Sequence, residues 1–442
     1  MNRKLVIHLP ANGRLPIYLQ LIWVMVMLWL RDVLGLPSAI SYITDAILIW
    51  ILMLHMNRIL HGNRYAYSKT QVRIVAMIIV AIVFGVVINL VNPLLVIWAT
   101  RNNLRFFAFF FACIGLLNTD DVDQLIALFF GFFWINVIVC TAQYYGQGLS
   151  GDQLGGLFGT KTGSNSYMNI LLCIISSVAF AKYFDGKMGI VYLSVCVIAC
   201  VYIAVLSELK AFYLEIVFIL IGALILRGTS WKTLLSCVLG VLGVGALLSI
   251  LSIYDPRTIE TFLDADAMEV YLAGEGYTQS GDLNRFTAIQ QINDRFFAGK
   301  PLKLLFGFGF GNCEISQLDF FFSEFGRQYM HLHYRWFTHA WVFLEQGAVG
   351  LILLVVFFIS LLVTIIKRRA FLRQDLVIAA FCFATTCIFG MIYNCALQLE
   401  AGYMIAFMCA IPYIASKEVK ENLGGHKFSK TQRITLRIKK RM

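Results

Sequence analysis

A chain of 442 residues with 59% hydrophobic residues, 14% charged residues and a mean hydropathy of +0.76 is excluded from the class of water-soluble globules. Its net charge of +11 gathers in short polar connections and in the tail from Lys417 to Met442, which suits anionic lipid headgroups. Nucleic-acid binding is not expected, because no basic groove or aromatic platform accompanies that tail.

Apolar runs near 20 residues, each long enough to cross about 30 Å of hydrocarbon, recur along the chain. They predict spans at 15–34, 37–56, 73–98, 103–118, 121–145, 166–184, 188–207, 211–226, 233–253, 342–366, 375–394 and 401–415. The expected fold class is therefore an all-α polytopic membrane protein with about 12 transmembrane helices. No removable signal peptide is expected, since the first apolar segment runs straight into the second without a small-residue cleavage site. With cytoplasmic termini, 24 of the 36 Lys and Arg fall on the cytoplasmic side, the bias that the positive-inside rule requires.

Four regions follow: helices 1–9 over 1–253, an extracytoplasmic loop over 254–338, helices 10–12 over 339–415, and a basic cytoplasmic tail over 416–442. The loop, from Tyr254 to Thr338, is unusually long for a compact membrane protein, and such loops are functional or disordered. It is net acidic, with 7 basic and 11 acidic residues, so its few Arg residues act locally. The eleven Cys lie mostly within spans, where Cys serves as a small apolar residue; Cys313 and Cys395 are both expected outside and within conceivable reach of each other. No metal-ligand spacing occurs, since His331-Leu-His333 lacks a partner cluster, and no cofactor is expected.

Ionisable residues at membrane depth are functional candidates, and four stretches at the outer face carry them. The first is Arg101-Asn-Asn-Leu-Arg105, between the third and fourth spans, which equally suits anchoring helix ends at phosphate headgroups. The second is Gly155 to Asn165, with Lys161, which also reads as a polar loop and helix cap. The third is Ser207-Glu208-Leu-Lys210, a tight turn between the seventh and eighth spans; Lys210 can snorkel, yet Glu208 beside it among apolar residues is costly for an anchor.

The fourth is the long loop itself. Asn284 is placed to cap a helix beginning at Arg285, with Phe286, Ile289, Ile292 and Phe296 along one face. Such an amphipathic helix would lie flat on the membrane and set Arg285 beside lipid phosphates, where its fork donates two parallel hydrogen bonds. Gly307-Phe-Gly309-Phe-Gly311 follows, without the spacing or the strand–turn–helix setting of a dinucleotide fingerprint, and reads as a tight turn between membrane-facing aromatic residues. Beyond Arg335, His339 enters the next span with Glu345 six residues on, a setting for a base or proton shuttle as well as for a structural histidine.

Arg285, the Gly-Phe-Gly-Phe-Gly turn and His339 before Leu344-Glu345-Gln-Gly347 and Gly350-Leu together resemble the O-antigen polymerase and O-antigen ligase superfamily. Ser207 to Lys210 is similar to that family's Ser-Arg turn, with Lys in the Arg position, and Gly159 to Asn165 to its Gly-Phe-x-x-x-Asn stretch. The resemblance spans about 150 to 366; Ala340 departs from the family's usual Asn after the His.

The resemblance implies a GT-C-like, lipid-dependent glycosyltransferase fold in the bacterial cytoplasmic membrane, with its active site on the outer face. It implies metal-independent, inverting transfer of a polyprenyl-pyrophosphate-linked oligosaccharide, for O-antigen, capsule or exopolysaccharide. His339, Arg285 and Lys210 would be catalytic, the cations binding the pyrophosphate and the His orienting or deprotonating the acceptor hydroxyl. Arg101, Arg105, Lys161, Asn165, Glu208 and Arg335 would contact phosphate or glycan. A chain-length regulator or a flippase is the protein partner class it leaves open. A repeat-unit polymerase is preferred to a ligase because the loop is long and the His-Asn pair is incomplete. A lipid-linked oligosaccharide flippase or other transporter is the rival class, but its paired broken helices and repeats are not visible.

Overall fold

The computed structural model describes residues 13–61, 69–227, 269, 272–274 and 281–425. The span expected at 233–253, the loop before residue 281 and the tail after residue 425 lie outside the described residues. What is described is helical, with no strand among the described residues. Among the described residues, seven helices are long and apolar enough to cross a membrane.

The chain runs up and down a bundle. α1 (Leu15–Asp32), α2 (Tyr42–Leu60), α3 (Lys69–Ile88), α4 (Pro93–Leu116), α5 (Thr119–Gln147), α6 (Ser164–Phe184), α7 (Ile190–Leu206) and α8 (Lys210–Arg227) come first. From residue 281 on, the described part of the loop carries the short helices α9 (Ala288–Ile292), α10 (Pro301–Phe306) and α11 (Glu324–Tyr329). The last three are α12 (Thr338–Arg368), α13 (Gln374–Tyr393) and α14 (Gly402–Gly425). α6 is the central helix, with 94% of its apolar window buried inside the protein. The outward faces of the surrounding helices carry Val80, Val87, Ile138, Val191, Ile198 and Ile225, all well exposed, an apolar girdle that suits lipid and not water.

The first departure from expectation is at α4. The break after α3 falls at Asn89–Asn92, ahead of the expected 99–102, so Arg101 and Arg105 lie inside α4 and not between spans. The cause is local: the Asn92 side chain accepts from the Leu94 amide at 3.0 Å, Pro93 takes the first helical position, and Leu90 turns with φ +48°. This cap starts the helix wherever the hydropathy minimum falls.

The two ends of the bundle differ. Arg14–Asp121, Arg373–Asp123 and Lys187–Asp375 pairs tie one end together. Residues 281–337 cover the other, hereafter the loop end. Here the loop builds its own small core of Leu283, Ala288, Ile292, Phe297, Tyr334 and Phe337, closed onto Phe343 and Leu344 of α12. The expected amphipathic helix is shorter and rotated. Asn284 does accept from the Phe286 amide at 2.9 Å, but the regular helix begins at Ala288 and passes into a wider π turn at Asn293–Phe297. Ala288, Ile292 and Phe297 are its buried face, and Phe286 stays exposed.

The glycine turn is also more than a bend. A Cβ on Gly307 would stand 2.5 Å from the Leu344 carbonyl oxygen, and one on Gly311 would stand 2.7 Å from the Leu95 backbone. On Gly309 it would stand 2.5 Å from Val91 and 3.1 Å from the Gly85 carbonyl oxygen. The turn is therefore wedged between α12, α3 and α4, each glycine permitting one close approach. Its aromatic residues point into protein and not lipid: Phe308 packs on Phe296, Phe297 and Phe325, and Phe310 is buried.

Candidate functional site

α8 and α13 pack antiparallel: the Cys382 thiol donates to the Ile219 carbonyl at 3.2 Å, Gly222 lies against Cys382, and Phe218 meets Phe389. That register carries Lys210, at the start of α8, to the end where α13 finishes at Tyr393. The turn before Lys210 is tight: Glu208 takes φ +52°, its carbonyl accepts from the Lys210 amide at 2.9 Å, and its carboxylate rests on Gly151.

Arg285 is at this same end. Its guanidinium lies 4.1 Å from the Tyr393 ring centroid and 5.4 Å from that of Phe337, so it is turned into the protein and not laid on a lipid surface. A desolvated cation over two rings keeps its charge at a lower cost than in bare hydrocarbon. His339 sets the backbone behind it. Its Nε2 is 2.8 Å from the Arg285 carbonyl oxygen and its Nδ1 is 3.1 Å from the Met391 carbonyl oxygen. Each ring nitrogen thus faces a backbone carbonyl oxygen, and neither faces open space. The ring thus ties the loop to the end of α13; service as a base would require it to release one of these carbonyls.

The connection from Asn394 to Ala401, which sequence reasoning passed over, is the hub of the loop end. The Thr338 amide donates to the Asn394 carbonyl at 3.0 Å, and the Thr338 hydroxyl to Gln398 Oε1 at 2.7 Å. Arg105 reaches the same connection: it donates to the Gln398 carbonyl and pairs with Glu400 at 3.0 Å. The Tyr167 hydroxyl donates to the other Glu400 oxygen at 2.6 Å. Burial by itself raises the Glu400 carboxyl, but the Arg105 charge and the Tyr167 hydroxyl hold it down at about 2. Arg105 is therefore neutralised internally.

Beside this hub, Asp32 is a buried carboxylate held by Arg31 at 2.7 Å, by Lys161 at 3.3 Å and by the Thr160 amide at 3.3 Å. Arg31 lies near enough to Glu400 to feel its charge. Lys161 is mostly exposed, and Asn165 donates to Asp152 at 2.5 Å.

A second polar line leaves α4. Arg101 is stacked over Trp98 and Tyr42, pairs with Asp45 at 2.8 Å and donates to Asn102 at 3.0 Å. Asn102 donates to Glu314 at 3.0 Å, and Arg335 approaches the same Glu314 oxygen at 3.8 Å. Arg335 also caps Trp341 at 4.0 Å and donates to the Ile315 carbonyl at 2.6 Å. Burial pushes the Glu314 carboxyl up, against the pull of the Arg335 charge. Glu345 is buried and accepts from the Cys313 amide at 3.3 Å, which locks the glycine turn to α12.

The structure thus brings Arg285 and His339 into contact and sets Lys210 at the same end. Arg105 meets them only through Gln398 and Thr338. Arg101 and Arg335 belong to the separate Glu314 line, while Lys161 and Glu208 sit on peripheral turns and Asn165 in the first turn of α6. Asn394, Gln398, Glu400, Tyr167, Arg31 and Asp32 were not singled out in the sequence. Leu399-Glu400-Ala401 reads there as a span beginning, and the Arg31-Asp32 pair as a span end. Among the described residues, no three His, Cys, Asp or Glu are placed to hold a metal ion, and Cys313 and Cys395 remain free thiols. No family model and no curated protein matches the chain.

Proposed function

We propose that this chain is a polymerase of polyprenyl-pyrophosphate-linked oligosaccharide repeat units, acting by inverting glycosyl transfer at the outer face of a bacterial cytoplasmic membrane. The observation that carries the reading is Arg285, a guanidinium housed between Tyr393 and Phe337 and fixed through its own carbonyl by His339, at the end of an apolar bundle. Lys210 at the same end supplies a second cation. The alternating helices, with residues 233–253 as one more crossing, are read as twelve spans of GT-C-like architecture with both termini cytoplasmic, in keeping with the bias of 24 cations in 36.

In this reading the acceptor hydroxyl attacks the anomeric carbon from the face opposite the pyrophosphate. The bond from that carbon to the pyrophosphate oxygen breaks, and its electron pair stays with the leaving group. Arg285 and Lys210 meet the growing negative charge, the interaction that lowers the barrier because it strengthens in the transition state. His339 is assigned the positioning of Arg285, since both its nitrogens are spent on carbonyls.

Purified protein incubated with a lipid-linked repeat unit tests this reading. A ladder of products is expected, and Arg285→Ala should lower its yield by ~100-fold or more at equal protein level. A single transfer to another glycolipid would make the protein a ligase. Movement of lipid-linked sugar across vesicles without any new glycosidic bond would end the enzyme reading.

A further inference from the structure

The bundle hides a carboxylate that the proposed transfer does not yet use. Glu215 lies five residues into α8 from Lys210 and is fully buried between helices. It lines a water-sized cavity together with Thr338, Thr386, Cys387, Met391 and Asn394, so the cavity opens from this carboxyl toward the residues that tie His339 and Thr338 to the hub.

The side chains around Glu215 offer it little. From α6 the Cys173 thiol donates to it at 3.2 Å, and the Asn169 amide stands beside it as a second, weaker donor. From α13 come Thr386 and Cys387; Cys200 of α7 stands behind Cys173, and Cys409 of α14 behind Cys387. Thiols and neutral groups make up this set, and none brings a positive charge. An ionised carboxylate there would forgo water for a weak thiol donor and a neutral amide, a cost that buried acids avoid by holding a proton. The Asn169 amide adds a polar group of the kind that an internal water needs.

We propose that Glu215 is a proton-binding site, neutral in the resting protein, and that the cavity above it passes its proton to the Asn394–Ala401 connection. Resting on the reading above, this gives the transfer a proton relay. As the C–O bond breaks, Glu215 yields its proton toward the pyrophosphate oxygen. As the new glycosidic bond forms, the proton lost by the acceptor hydroxyl returns to Glu215, so none is consumed overall.

Two measurements on the full-length protein in membranes do not depend on turnover. The infrared absorption of protonated carboxylic acids should be present at neutral pH and lose the share of one carboxyl in Glu215→Gln, with that of the buried loop-end carboxyl Glu314 remaining. Dicyclohexylcarbodiimide, which reacts with neutral acids in apolar surroundings, should modify Glu215 faster as pH falls. A band unchanged by Glu215→Gln would overturn the proposal, whatever the carbodiimide does. For the relay, Glu215→Gln should lower turnover ~100-fold with KM little changed. Full turnover in that variant would remove the relay and leave the proton site standing. An intact acid band in a protein that forms no glycosidic bond would instead remove only the glycosyltransferase reading.

Discussion

Glu400 shows how much of the loop end depends on one carboxylate. It receives Arg105 and Tyr167, and through Arg105 it fixes the Gln398 carbonyl that neighbours Thr338. Its folded value of about 2 lies below the ordinary 4.5, so its contribution to stability is fully present above about pH 4.5 and disappears as pH falls through 2. The shift corresponds to a ceiling of about 3 kcal/mol at neutral pH. Replacing Glu400 by Gln also leaves the Arg105 guanidinium buried without its counter-charge, a loss of ~3–5 kcal/mol for pairs of this kind. Thermal unfolding in detergent should therefore show a much lower Tm for Glu400→Gln at pH 7. The gap from wild type should close as pH is lowered from 5 toward 2. A gap that stays constant over that range would mean that the pair does not act electrostatically.

At the scale of elements, α12 and the glycine turn fit because two backbones touch where no side chain is possible. Gly347 interrupts α12 with φ +62°, and a Cβ there would stand 2.4 Å from the Leu305 carbonyl carbon. Gly347→Ala combines left-handed strain with a backbone clash and should cost ~2 kcal/mol or more, with separation of the turn from Glu345. Gly131→Ala in α5, where an added methyl meets nothing within 4 Å, should leave Tm unchanged or slightly raised. Equal Tm values for the two variants would show that the close approach carries no stability. The turn itself was legible in the sequence as a turn. Its three contacts were not, because the partners are up to 224 residues away along the chain and no local pattern encodes which backbone a glycine will meet. The start of α4 is the opposite case: Asn92-Pro93 is a local helix-start signal that a hydropathy window smooths over, and the true boundary follows it.

At the scale of the whole molecule, what hydropathy makes legible among the described residues is the helical bundle, because helices follow from where apolar runs begin and stop. The pairing of charges is not legible in this way. Arg105 looks like a free cation in the sequence, and only the parallel packing of α4 with α14, seen in Phe109–Tyr403 and Phe110–Tyr413, brings it to Glu400. The contact of His339 with the Arg285 carbonyl is likewise non-local, 54 residues apart along the chain, and no spacing rule encodes it. The alternation of helices now makes a sidedness prediction: Gln317, exposed in the loop, and Gly189, at the opposite end before α7, should face opposite sides of the membrane. Among the described cysteines only Cys395 is not buried, so a Cys395→Ser background suits thiol labelling. A Cβ at Gly189 meets nothing within 4 Å, so Gly189→Cys is expected to fold. On intact cells a membrane-impermeant maleimide should label Gln317→Cys and spare Gly189→Cys until the membrane is permeabilised. Labelling of Gly189→Cys alone would invert the orientation and place Arg285 and His339 on the cytoplasmic side. Labelling of both on intact cells would contradict a bundle that crosses the membrane between them.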